Sequence, residues 1–190
     1  MDKVIWHEGM MLRPQHFQQH DRYLQQELNQ RTLTGRRHNW GFFQLQLDPQ
    51  YLQMGKIVLT AASGILPDGT LFDLQSSEQP LALDIPVGVT DSRVCLSLPL
   101  QVGNGVEAKR LEQKDVVARY LSYSRDVTDS NAGEHGQTQV MCARQAFSLQ
   151  LEQDVPANWT KLAICQLLDV SPDGVVSLDR DFQPSLLDIQ

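Results

Sequence analysis

Histidine and acidic residues near the start of the chain are the first candidates for chemistry. His16 and His20 are four residues apart, so a helix would place both imidazoles on one face, with His7, Glu8 and Asp21 close in sequence. Imidazoles and carboxylates are ligands that Zn²⁺ binds. A hydrolytic zinc helix, however, carries Glu directly after its first His, whereas here an aromatic ring and two amides separate the histidines. The spacing therefore predicts no metal centre, and we expect no cofactor.

Candidate nucleophiles are equally poor. The sequence contains no Gly-x-Ser-x-Gly elbow and no glycine-rich phosphate loop. Cys142 and Cys165 lie in apolar segments, where a thiol usually behaves as a small inert side chain. With Cys95 they form an odd set without a C-x-x-C pair, which is typical of reduced thiols in a cytosolic protein. These features predict that the chain is not an enzyme.

Composition limits the class of protein further. The chain has 190 residues with 41% hydrophobic content, which suits one core, and its net charge is −7. An acidic chain lacks the clustered cations that bind phosphate, so nucleic acid is excluded as a partner. No apolar run approaches the roughly 20 residues that span a bilayer, and no secretion signal opens the chain. We therefore expect a cytoplasmic protein without membrane insertion.

The elements that would position these residues begin with a helix. Pro14 suits a first helical position, helix-forming residues follow to about residue 31, and Gly35 supplies a stop. Phe17, Leu24 and Leu28 share one narrow face, which predicts packing on the edge of a larger unit.

Strand patterns follow the helix. Alternating apolar and polar residues predict half-buried strands at 43–48, 94–101 and 147–152. Strand-like composition marks 56–62, 116–124 and 162–168, and the last is apolar enough to be central. Because Pro cannot donate a backbone hydrogen bond, Pro99 predicts that its strand lies at a sheet edge or contains a bulge.

Turn chemistry separates the strands. Pro-Asp-Gly at 67–69 and again at 172–174 predicts two hairpins, Gly-Asn-Gly at 103–105 predicts another turn, and the polar run 126–136 predicts an exposed loop. Short strands with such turns after one helix predict a mainly β fold, an antiparallel β-sandwich with one N-terminal α-helix.

An apolar arm precedes the helix. Trp6, Met10, Met11 and Leu12 lie together, and Gly9 allows a turn among them. Two interpretations stay open: the arm faces a partner, or Trp6 and Leu12 fix it onto the sandwich.

A known family shares the same opening. The run is Trp6-x-Glu8-Gly9-Met10-x-Leu12-x-Pro14-Gln15-His16-Phe17-Gln18, continued by Asp21-Arg22-Tyr23. It resembles the opening of the TssK family, baseplate subunits of the bacterial type VI secretion machine. The motif covers the first forty residues, and the order of elements supports the resemblance beyond them.

The resemblance implies a structural protein. It implies that residues 1–180 form a shoulder domain similar to that of siphophage receptor-binding proteins, with the arm and helix at 1–35 and the sandwich at 40–180. Residues 181–190 would begin a linker to a helical neck. The implied partners are TssF and TssG for the shoulder, and the cytoplasmic domains of TssL and TssM for a further head domain. Family members form homotrimers in the cytoplasm of Gram-negative bacteria, docked at the inner membrane.

The expected partner-binding residues are those of the shared motif. They are Trp6, Glu8, Met10, Leu12, Pro14, Gln15, His16 and Phe17. Because the implied neck is absent from this sequence, we expect the fragment alone to be monomeric. The alternative function is a carbohydrate-binding β-sandwich module, for which Trp40 beside Asn39 and Trp159 beside Asn158 are the candidate aromatic residues.

Overall fold

A computed structural model describes residues 2–34, 39–74, 80–101, 105–113, 115–131 and 136–186. Within these ranges the chain forms one α-helix and eleven strands. They are α1 Pro14–Thr34, β1 Gly41–Leu47, β2 Lys56–Ile65, β3 Leu71–Leu74, β4 Leu81–Asp84, β5 Ser92–Pro99, β6 Ala108–Lys109, β7 Tyr120–Thr128, β8 Gln137–Gln145, β9 Ser148–Leu151, β10 Trp159–Val170 and β11 Val176–Leu178. Short 3₁₀ helices cover Pro49–Met54 and Glu152–Asp154.

Two antiparallel sheets form the sandwich. In the first, β2 pairs with β1 along one edge and with β3 and β4 along the two halves of the other. The second has the order β11-β10-β5-β9. Both sheets contribute to one core, in which Phe42 and Leu66 of the first unit meet Leu96 and Leu167 of the second, all fully buried. The predicted mainly β sandwich with one N-terminal helix is confirmed.

A third sheet extends from the sandwich as a two-stranded ribbon. Strands β7 and β8 pair antiparallel over nine residues without a register shift, and β6 adds a two-residue parallel pair at the base of β7. The sequence interpretation was wrong here in two ways. Strand β8 was missed, and residues 126–128, predicted as loop, continue β7. Ser, Gln, Thr and Arg make up half of the residues of β7 and β8, so much of the ribbon resembles a solvated loop in composition, while the regular cross-strand pairing determines its structure.

Strand β5 corrects a second expectation. It is central rather than at an edge, because β10 and β9 pair with its two sides. The register shift in its pairing with β10 lies between Ala163 and Cys165 of β10, away from Pro99. Pro99 is tolerated because it is the last residue of β5 and lies beyond Ser97, where the pairing with β9 ends. Every residue from Val94 to Pro99 is buried, so β5 is covered on both faces instead of one. The prediction that β10 is central is confirmed.

Both Pro-Asp-Gly turns form the predicted hairpins. In the first, the Leu66 N–H donates to the Thr70 carbonyl at 2.9 Å, and Asp68 Oδ1 accepts the Thr70 N–H at 3.2 Å. In the second, the Ser171 N–H donates to the Val175 carbonyl at 3.0 Å. The turn predicted at 103–105 lies mostly outside the described residues.

Helix α1 precedes the sandwich, and the last described residues contact β1. Helix α1 continues to Thr34, three residues beyond the predicted end, and the expected stop at Gly35 lies outside the described residues. Near the other end, the Phe42 N–H donates to the Ser185 carbonyl at 2.7 Å, and Leu186 forms a parallel bridge with Phe42. Ser185 and Leu186 therefore lie beside β1.

Candidate docking site

The start of helix α1 is fixed by local bonds. Pro14 occupies its first position, and His16 Nδ1 accepts the Arg13 backbone N–H at 3.0 Å. This contact works like the returning bond of a capping box, because a side chain in the first turn satisfies an N–H that has no helical partner. It also makes Nδ1 of His16 a hydrogen-bond acceptor.

The arm folds back onto the first turns of α1. Gly9 has a φ of +79°, and the Met10 N–H donates to the His7 carbonyl at 3.4 Å, which closes a turn. The turn brings the Trp6 ring to the helix, with its centroid 6.4 Å from His16, 6.2 Å from Phe17 and 5.9 Å from His20. Trp6 is 45% exposed. The aromatic contacts described for Trp6 are thus with α1, and its ring is only partly covered.

Large apolar side chains of the arm and helix face outward. We define the arm–helix surface by the exposed residues Ile5, Trp6, Met11, Leu12, Phe17, Leu24 and Leu28. The predicted packing of the helix against a larger unit is seen at its C-terminal half, where Leu28 lines a cavity with Gly69 and Leu71 although it is 60% exposed. Phe17 and Leu24 are also exposed. Exposed large apolar side chains grouped in one region are typical of a protein interaction site.

Polar bonds hold the helix on the sandwich. Arg22 Nε and Glu107 Oε1 form an ion pair at 2.7 Å, and Gln101 donates to the same oxygen at 3.1 Å. The hydrogen bond from Arg22 holds the pKa of Glu107 below its ordinary value and raises the pKa of Arg22. Further along, the Asn39 amide donates to the Thr32 carbonyl at 2.7 Å. These contacts of α1 are made by polar groups, while Phe17 and Leu24 are exposed.

Potential metal ligands and thiols occur in the described part of the chain. Within the described ranges, no three His, Cys, Asp or Glu residues are grouped so that they could hold a metal ion. Burial raises the pKa of Cys95 to about 11 and that of Cys165 to about 12, so both thiols are poor nucleophiles at neutral pH. Neither these two nor Cys142 forms a disulfide. The described part of the chain also has no helix long and apolar enough to cross a membrane.

The motif residues divide into two groups. The structure brings Trp6, His16 and Phe17 together through their rings. Met10 is half-buried, while Leu12 is exposed and lies on the same surface. Glu8, Pro14 and Gln15 are exposed, and they have no contact with Trp6 among those described.

The predicted partner-binding residues did not include four residues of this surface, which are Ile5, Met11, Leu24 and Leu28. Ile5 is among the most exposed of the large apolar side chains, yet it was not chosen as a candidate. Its position beside Trp6 was the signal that would have identified it.

The two Trp residues proposed for carbohydrate binding are both partly buried. Trp40 packs against the core. Trp159 is partly buried at the start of β10 and lines a cavity of about 420 Å³ together with Pro99, Val117 and Phe147. Neither ring is an exposed platform on which a sugar could stack.

The described residues form a β-sandwich with an N-terminal arm and helix that expose large apolar side chains, a combination typical of a domain that contacts other proteins. Comparison with known proteins shows the family to which the chain belongs. Residues 16–190 match the family described as bacterial type VI secretion, with the names EvfL, ImpJ and VasE. The chain is 36% identical over 197 aligned residues to the type VI secretion system baseplate component TssK1 of Pseudomonas aeruginosa strain PAO1, covering 99% of this chain. The chain therefore belongs to the TssK family.

Solved structures agree on the fold. A crystal structure of TssK matches 98% of the chain with a TM-score of 0.92 and 37% identity. TssK in a cryo-electron microscopy structure of the TssK–TssF–TssG baseplate subcomplex matches 98% of the chain with a TM-score of 0.80 and 24% identity, which shows the fold alone. The chain spans 43% of the TssK1 relative and 42% of the TssK chain in the crystal structure.

Proposed function

We propose that the chain is a structural, non-enzymatic part of the type VI secretion baseplate and that it docks onto partner subunits through its arm–helix surface. Membership of the TssK family supports the baseplate assignment, since the TssK1 relative is named a baseplate component. The inert thiols and the lack of a metal-ligand group among the described residues agree with a binding role.

The proposed partners are TssF and TssG. A solved TssK relative of the same fold is named as part of a complex with these two proteins. We extend the proposal to the rest of the assembly as the family resemblance implies. Residues 1–180 act as the shoulder and 181–190 lead to a neck. A head beyond the neck would reach the cytoplasmic domains of TssL and TssM, and the complete protein would be a homotrimer at the cytoplasmic side of the inner membrane.

One observation carries the assignment of the docking surface. The arm and α1 expose a row of large apolar side chains while polar bonds attach the helix to the sandwich. Trp is among the residue types that dominate binding energy in interfaces, and the exposed Trp6 ring lies 6.2 Å from the Phe17 ring on this surface. An exposed apolar patch on a stable scaffold is stabilised when a partner covers it.

A charge placed on this surface tests the proposal. Leu12→Asp should weaken binding to a purified TssF–TssG complex about tenfold or more, since it would bury a carboxylate against apolar groups. Leu168→Asp is the matched control, because Leu168 is 52% exposed and Leu12 is 56% exposed, but Leu168 lies on β10. Equal binding by both variants, at unchanged melting temperature, would exclude the arm–helix surface as the docking site.

A further inference from the structure

The β7–β8 ribbon has an open edge. Strand β8 pairs with β7 from Gln137 to Gln145, and no described strand pairs with its other side. Strand β6 covers only the first two residues of β7. An isolated two-stranded ribbon is marginally stable in water, and its outer N–H and C=O groups can accept another strand.

The edge lacks the features that usually block strand addition. Strand β8 contains no Pro and no Lys, and its pairing with β7 has no bulge. Natural proteins protect exposed edges with such features because an open edge otherwise pairs with other chains. The regular, unprotected edge is therefore suited to a partner strand.

One face of the ribbon is apolar and basic. Because opposite residues of an antiparallel pair share a face, eight side chains lie on one side. We call this the arginine face, and its residues are Leu121, Tyr123, Arg125, Val127, Thr138, Val140, Cys142 and Arg144. Tyr123 is 40% exposed and Val140 is 41% exposed. The other face carries mainly Ser, Gln and Thr with Asp126.

The charges on the arginine face determine the kind of occupant. Arg125 and Arg144 form no ion pair with any acidic residue that the structure describes, and this face carries no Asp or Glu among the described residues. Two copies joined antiparallel through their β8 edges would place both arginine faces on one side of a continuous sheet without an acid among the described residues of that face, which is unfavourable. An acidic partner would instead form charge-assisted bonds with these arginines.

We propose that the free edge of β8 binds an extended, acidic segment of a partner protein by strand addition. Backbone bonds to β8 hold the segment, its acidic side chains lie beside Arg144 and within reach of Arg125, and its apolar side chains cover Val140. The edge of β8 supplies backbone hydrogen bonds to the segment. The arginine face supplies side-chain contacts, and Tyr and Arg are enriched among residues that dominate binding energy. The ribbon is a second docking element, with different residues from the arm–helix surface.

A synthetic strand tests this directly. The probe is a fluorescein-labelled octapeptide in which Glu alternates with Val and Thr, titrated with the 190-residue chain in an anisotropy assay. One control peptide replaces every Glu with Lys, and a second carries alternate N-methylated amides, which keep the side chains but prevent strand pairing. We expect saturable binding of the Glu peptide and at least tenfold weaker binding of either control.

Charge reversal assigns the binding to the ribbon. Arg144→Glu should weaken binding of the Glu peptide at least tenfold and strengthen binding of the Lys peptide. Arg180→Glu is the matched control, because Arg180 is exposed and outside the ribbon, and it should bind like the unchanged chain. Equal binding of the Glu and N-methylated peptides, no saturable binding, or an equal effect of both variants would overturn the proposal. Self-association that Arg144→Glu abolishes would also overturn it, because a second copy would then occupy the edge. Binding of Leu12→Asp to TssF–TssG is independent of these results.

Discussion

Gly69 is the residue through which the β2–β3 turn meets helix α1. A Cβ built on it would lie 2.9 Å from the Asn29 carbonyl oxygen and 3.1 Å from the Asn29 Cβ, and its φ is +84°. Both the backbone angle and the neighbouring helix therefore require Gly at this position.

Replacing Gly69 with Ala should destabilise the protein in two ways. The left-handed angle costs about 1–2 kcal/mol, and the clash with Asn29 adds about 1–3 kcal/mol of free energy of unfolding. Gly174→Ala is the control, since Gly174 has a φ of +82° but nothing within 4 Å of a built Cβ. Urea denaturation measures both, and an equal loss in the two variants would show that α1 does not press on the turn.

Glu107 makes the attachment of α1 dependent on pH. Its pKa is lowered in the folded state, chiefly by the hydrogen bond from Arg22, so the stabilising contribution is present above the ordinary value of 4.5. It is lost as the pH falls through the lowered folded-state pKa. As the pH is lowered from 4.5 through the lowered folded-state pKa, the protection of α1 amides from exchange should therefore fall relative to the protection of sandwich amides.

Glu107→Gln should remove this pH dependence. The variant should show faster exchange in α1 at pH 7 and a smaller further change on acidification. Glu112→Gln is the control, because Glu112 is exposed and has no ion pair within the described part of the chain. If Glu107→Gln leaves exchange in α1 unchanged at pH 7, the ion pair does not hold the helix.

Strands β1 and β2 pack most closely at Gly64. A Cβ on Gly64 would lie 2.2 Å from the Gly41 carbonyl oxygen and 2.9 Å from the Phe42 Cα, so the backbone of β1 would have to move. Phe42 is fully buried and contacts Phe72 edge to face, with ring centroids 6.0 Å apart. Movement of β1 would therefore disturb the core.

Gly64→Ala should cost about 3 kcal/mol or more in free energy of unfolding, at the upper end of overpacking effects. Ser63→Ala, one residue away on β2, should cost about 1 kcal/mol or less. Chemical denaturation of both variants measures the difference. A loss below about 1 kcal/mol for Gly64→Ala would show that β1 moves away without disturbing the core.

The sequence predicted correctly those elements that depend on neighbouring residues. Pro14 began the helix, and the two Pro-Asp-Gly turns formed hairpins, because capping and turn angles depend on neighbouring residues. Strand β8 was missed because its stability comes from pairing with β7, which the composition of β8 alone does not show. The ion pair between Arg22 and Glu107 joins residues 85 positions apart, and the helical pattern contains no information about it.

The oligomeric state of the 190-residue chain remains a prediction. The net charge of −7 opposes self-association, and we expect a monomer in sedimentation velocity at micromolar concentration in low salt. Sedimentation at high salt is the comparison, because salt screens the repulsion between the negatively charged chains. A stable trimer in both conditions would show that the shoulder itself carries a trimer contact, and the division of roles between shoulder and neck would then be wrong.

The arm and helix α1 lie beside the β-sandwich, and they expose the large apolar side chains of the arm–helix surface. Hydrogen exchange of the chain, alone and with purified TssF–TssG, measures most directly whether this surface docks. We predict slower exchange in residues 2–34 on binding, because a covered arm and helix open less often, with the β10–β5 core unchanged. Protection that appears elsewhere while residues 2–34 exchange at their free rate would contradict docking through the arm–helix surface.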